Sequence, residues 1–127
     1  MKIQMFEYHM IMSSLQSLKI ILERHWPEVK VSIWGYFQNP EVRPKVANIY
    51  KISLIVFRFH IPDRGIDRSL IFYENGRPFI YDKEVRWVRD WKSAISKFVE
   101  SVSLCSRIFW NEDSDALQKD LQEFINR

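Results

Sequence analysis

The segment IDRSLIFYENGRPFIY, residues 66–81, constrains the fold of this chain more than any other. Asn75-Gly76 separates two strand-like runs, and a tight hairpin turn needs positive φ at both central positions, which Asn-Gly supplies most cheaply. The runs 66–73 and 77–81 are therefore predicted to pair antiparallel. Pro78 has no amide to donate to a ladder, which assigns the second run to a sheet edge.

Upstream, residues 48–61 read NIYKISLIVFRFHI. From Ile52 to Phe57 both faces are apolar apart from Ser53, the pattern of a central strand covered on both sides. Residues 62–65, PDRG, make the following turn: Pro62 and Asp63 suit its entry and Gly65 its exit. Residues 29–37 alternate. Val29, Val31, Ile33 and Phe37 share one face, and Lys30, Ser32, Trp34 and Tyr36 the other, which is a strand with one buried face. Pro40 and Pro44 break the loop that follows. The middle of the chain is thus an antiparallel meander of three to four strands.

Helical periodicity brackets this meander. Ser13 and Gln16 have capping-box spacing, and Leu15, Leu18, Ile21, Leu22 and Trp26 follow at helical intervals. Pro27 ends the run, giving a helix over 14–25 and leaving residues 1–12 unassigned, an extra strand among the alternatives. The stretch RWVRDWK, residues 86–92, opens a longer pattern. Trp87, Trp91, Ala94, Phe98, Val102, Cys105 and Phe109 recur every three or four residues, with Ile95 and Val99 widening the stripe. This predicts a helix over 84–109 with both tryptophans inside. Arg86, Arg89, Lys97 and Arg107 fall outside, mixed with Asp90 and Glu100. Such a helix runs about 39 Å at 1.5 Å per residue, against a radius of gyration of about 14 Å for a domain of this size. It either breaks near 101–106 or overhangs, exposing Ile108, Phe109 and Trp110 and favouring a homodimer. At the C-terminal end, Asp113 or Ser114 can cap a short helix with Leu117, Leu121, Phe124 and Ile125 inward, and Asp115 near its start suits the helix dipole.

The expected architecture is a single α+β domain over residues 1–127: N-terminal helix, antiparallel meander, long amphipathic helix and short C-terminal helix, with the helices on one sheet face. A length of 127 residues with 46% apolar and 15% aromatic composition supports one self-sufficient core. The layout is similar to that of double-stranded-RNA-binding domains and ubiquitin-conjugating enzymes. Neither the Lys-Lys-x-Ala-Lys helix start of the former nor the His-Pro-Asn and catalytic Cys of the latter occurs.

Several function classes are excluded by residue type. The three glycines, Gly35, Gly65 and Gly76, are isolated, so neither common glycine-rich phosphate loop is present and no cofactor is expected. One cysteine, Cys105, and three histidines give no zinc-binding spacing, and the carboxylates lack the Asp…Glu-x-Lys spacing of metal-dependent nucleases. No metal is expected. A single cysteine also permits no intrachain disulfide and fits a reducing compartment. Cys105 lies on the apolar helix stripe and is read as a buried, inert thiol. Glu7 and His9 interrupt the N-terminal apolar run, unlike a signal peptide, and no run reaches the roughly 20 residues that span a bilayer. A cytoplasmic protein with no membrane association follows.

The net charge of +3 is unevenly spread, a basic body preceding an acidic tail: residues 111–127 hold five acidic residues to two basic ones. Three functional readings are compatible with this. The leading one is a non-enzymatic interaction module of inhibitor, immunity or adaptor type that docks on another protein. Its interface candidates are Lys30, Trp34 and Tyr36 on the back of the first strand and Phe109 and Trp110 at the helix end. The second is an RNA- or DNA-binding domain using Arg58, Arg64, Arg68, Arg86 and Arg89. The third is a small metal-independent RNase-like enzyme built on His60 with Arg58 and Asp63 around the 62–65 turn, where Arg64 and Arg68 could hold a phosphate.

Overall fold

The computed structural model describes residues 5–35, 53–73, 77–109 and 114–127. Its elements are helix α1 (Met5–His25), strands β1 (Lys30–Gly35) and β2 (Ser53–Ile61), a 3-10 turn (Pro62–Arg64), strands β3 (Ile66–Tyr73), β4 (Phe79–Tyr81) and β5 (Val85–Trp87), and helices α2 (Trp91–Phe109) and α3 (Asp115–Ile125). The strands form one antiparallel sheet in the order β1-β2-β3-β4-β5. This is the expected α+β layout with five strands instead of three or four.

Register fixes which side chains share a face, because successive residues of a strand alternate. Val31 and Ile33 of β1 stand opposite Phe59 and Phe57 of β2, and Phe57 stands opposite Leu70 of β3. These residues belong to the main core, which all three helices also enter. Trp26, just after α1, packs edge-on against Phe59 with ring centroids 5.7 Å apart, and Phe98 of α2 does the same to Phe57 at 5.5 Å. From α2, Ala94, Phe98, Val102 and Cys105 are buried, and from α3 Leu117, Leu121 and Phe124, as their spacing requires. His25 at the end of α1 and Asp120 of α3 are 2.5 Å apart and tie those helices together.

Three local expectations are corrected, and one of the two alternatives for α2 is not taken. Helix α1 begins at Met5, so Ser13 lies in its interior instead of capping it. Tyr8, Ile11 and Met12 extend the buried stripe by two turns, and that burial outweighs the local preference of Ser13 for a cap. Strand β4 is not an edge. It lies between β3 and β5, and Pro78 precedes its ladder, accepting a bond from the Val88 amide through its carbonyl (2.8 Å). Helix α2 starts at Trp91, not Glu84. Asp90 caps it: the Ser93 amide donates to Asp90 Oδ1 at 2.8 Å and the Ser93 hydroxyl to Oδ2 at 3.1 Å. Finally, α2 does not break at 101–106. Its serines find partners without leaving the helix: the Ser106 hydroxyl donates to the Ser103 carbonyl (2.8 Å), and Gln118 of α3 bonds both residues.

The Asn75-Gly76 turn lies outside the described residues; the strands on either side of it pair antiparallel, Leu70 opposite Ile80. The 62–65 turn is a short 3-10 helix closed by Gly65, whose φ of 64° is one that glycine adopts without penalty.

Candidate docking surface

No described helix packs on the second face of the sheet. Register places one row of residues across it: Trp34, Val56, Ile71, Phe79 and Trp87, one from each strand in order. Val56, Ile71 and Phe79 form a second, smaller buried cluster, with Tyr81 half-buried against it. The middle of this face is therefore closed, and its exposed large apolar side chains among the described residues lie at the β5 end.

There Trp87 is 51% exposed and Val85 43%. Trp87 rests on Phe79 with ring centroids 5.0 Å apart and planes tilted by 53°. The buried Phe79 ring thus supports an indole that remains half-exposed. Arg86, between Val85 and Trp87, and Arg89, just beyond β5, are both exposed. The placement of Trp87 corrects the reading of RWVRDWK as a wholly inward pair of tryptophans. Trp91, inside α2, does pack against the main core, while Trp87, in a strand, faces solvent. The four-residue spacing of the two rings imitates a helix although the chain changes structure between them.

The other interface candidates spread apart. Lys30 is exposed in β1 opposite His60, and Trp34 stands in the same strand opposite Val56. The side chains of Trp34 and Phe109 and the whole of Tyr36 and Trp110 lie outside the described residues. Sequence reasoning did not select Val85 and Trp87 as surface residues. Two signals in the chain mark them: their two-residue alternation, and the Asp90-to-Ser93 cap that stops the helical pattern from reaching back.

The five arginines do not converge. Arg58 Nε and Nη2 donate to the two carboxylate oxygens of Asp67 at 2.9 and 2.6 Å, a bidentate pair on the second sheet face. That bond holds the Asp67 carboxyl below its ordinary range. Arg64 Nε reaches Glu28 at 3.3 Å. Arg86 lies 3.3 Å from Asp82 and Arg89 Nε 3.3 Å from Asp90. Arg68 stands opposite Phe59, so it points to the helix side, where it bonds the hydroxyl and carbonyl of Ser101 in α2.

The RNase-like set is likewise not assembled. His60 stands opposite Asp67, whose carboxylate is taken up by Arg58. Asp63 and Arg64 are exposed in the 3-10 turn. The nearest cleft, of about 370 Å³, is lined by Gly65, Asp67, Arg68, Tyr81 and Lys83 among others, without His60, Arg58 or Asp63. Cys105 is buried, and burial pushes its thiol up despite the nearby Arg68 guanidinium. A raised thiol is the opposite of an activated nucleophile.

Among the described residues no group of three His, Cys, Asp or Glu could hold a metal ion, and no helix is long and apolar enough to cross a membrane. Fold and surface together define an α+β domain with helices on one sheet face and, among the described residues, a half-exposed tryptophan at the β5 end of the other. Comparison with protein-family models, curated proteins and solved structures finds no match.

Proposed function

We propose that this protein is a non-enzymatic interaction module, of inhibitor, immunity or adaptor type, that docks on another protein through the β5 edge. The observation that carries this reading is the half-exposed Trp87, braced on Phe79 beside exposed Val85. A rigid, partly exposed tryptophan with an exposed aliphatic neighbour on the same face has the composition of an interface hot spot. An aliphatic side chain beside the ring favours a protein partner over a base, which stacks on a ring face and gains nothing specific from valine. The lone cysteine suits a reducing compartment such as the cytoplasm.

The test is affinity capture of the tagged chain from its host lysate at physiological salt, with nuclease treatment, run in parallel with Trp87→Ala. A stoichiometric protein partner held by the native chain and lost from a folded Trp87→Ala chain supports the reading. Capture unaffected by the substitution removes the β5 edge from consideration. Trp34→Ala and Tyr36→Ala are tested in the same way.

The exposed Trp87 also favours a second reading, nucleic-acid binding, with Arg86 and Arg89 exposed close by in the chain. An exposed ring is what a base stacks on, and cations elsewhere on the surface contact the phosphates. Binding of this kind weakens steeply with salt as counterions are released. A nucleic acid recovered at low salt and released at high salt would replace the first reading.

A further inference from the structure

We propose that the outward stripe of α2 is a two-fold interface between copies of this chain. Lys97, Glu100, Leu104, Arg107 and Ile108 are all exposed and recur at intervals of three or four, so they share one side of the helix. At its centre Leu104 is 56% exposed and Ile108 60%, two large aliphatic side chains four residues apart. Beside them runs a groove of about 540 Å³ between α2 and α3, floored by Val99, Leu121 and Ile125. A leucine or isoleucine from a second copy fits such a groove.

Charge identifies the occupant. Glu100 and Arg107 line this same groove, and they make no ion pair among the described residues. Seven residues apart, they sit about 10 Å from each other along the axis, too far to pair within one helix. A two-fold axis crossing α2 near Ser103 and Leu104 runs the second helix antiparallel to the first. It sets Glu100 of each copy beside Arg107 of the other, with Leu104 of both copies at the centre. A self-complementary surface of this kind is what an isologous dimer requires. The patch is small beside a standard interface of about 800 Å² per partner, so the dimer forms at micromolar or higher concentration. It lies on the helix side of the molecule, independent of docking at β5.

Light scattering and sedimentation of the purified chain, from about 1 μM to about 0.5 mM, test this directly. A monomer–dimer equilibrium is expected. Glu100→Arg and Arg107→Glu each weaken it at least about tenfold, since each puts like charges opposite one another. Mixing the two singly substituted chains restores a one-to-one dimer, because each then meets its opposite. Leu104→Asp gives a monomer with unchanged circular dichroism, as expected for a substitution at an exposed site. A monomer at every concentration would overturn the proposal. So would a dimer that survives Leu104→Asp, or one in which the mixed chains bind no better than either alone.

Discussion

At Gly35 and Asp67 a single atom or a single proton decides the outcome. A Cβ added to Gly35 would press on the hydroxyl of Tyr8 and come within 3.2 Å of its Cζ. Tyr8 is fully buried, so its ring has nowhere to retreat. Gly35→Ala is expected to cost about 1–3 kcal/mol, the usual penalty of overpacking. In a denaturant titration, adding Tyr8→Phe should recover part of that loss, because it removes the atom the new methyl meets. Additive effects of the two substitutions would show that they do not touch. At Asp67 the bidentate bond from Arg58 lowers the carboxyl pKa in the folded chain. A depressed folded pKa contributes stability above the unfolded value of about 3.9. That contribution disappears as pH falls through the folded pKa. Asp67→Asn should therefore flatten the stability profile only below about pH 4. Both side chains are more than a third exposed, so solvent screening keeps the difference to about 0.2–1 kcal/mol. An equal loss for both proteins down to pH 2 would show the pair to be inconsequential.

At the scale of elements, α2 shows what was legible and what was not. From Trp91 to Cys105 every predicted inward position is buried or half-buried, because a helix that packs on a sheet must keep one face apolar. Its start was obscured because Trp87 continues the same spacing by coincidence. Periodicity alone cannot separate a helix from a strand that happens to precede it in phase; the cap does. Asp90 receives both the amide and the hydroxyl of Ser93, and the amide bond holds its carboxyl below the ordinary range. Asp90→Ala should lower the thermal midpoint and raise amide exchange in the first turn of α2, while Asp90→Ser, also a good cap, retains most of both. Equal exchange in all three chains would mean that packing alone sets this boundary. The same mechanism in reverse explains α1. Ser13 and Gln16 look like a start, but Tyr8, Ile11 and Met12 carry the apolar stripe past them. The candidate surface was the least legible part, because exposure of Trp87 depends on where β5 ends, and three-residue strands carry almost no pattern of their own.

At the scale of the whole molecule, the first turns of α1 decide whether the domain folds at all. Tyr8, Ile11 and Met12 are buried in the same core as Phe57, Phe59 and Phe98. Each such side chain contributes about 1.5–3 kcal/mol by leaving water, against a total of about 5–15 kcal/mol for a domain. Removing residues 1–12 therefore takes away a large share of the margin. It also uncovers Gly35 and the end of β1, where Tyr8 packs. The shortened chain is expected to lose its cooperative unfolding transition or to unfold several molar units of urea earlier, at a slope of about 1–3 kcal/mol per molar. Met10→Ala is the control. Met10 lies between these residues but is largely exposed, so it should change stability by no more than about 0.5 kcal/mol. If the shortened chain kept the native midpoint, α1 before Ser14 would be an appendage, and the core would be closed by the sheet, α2 and α3 alone.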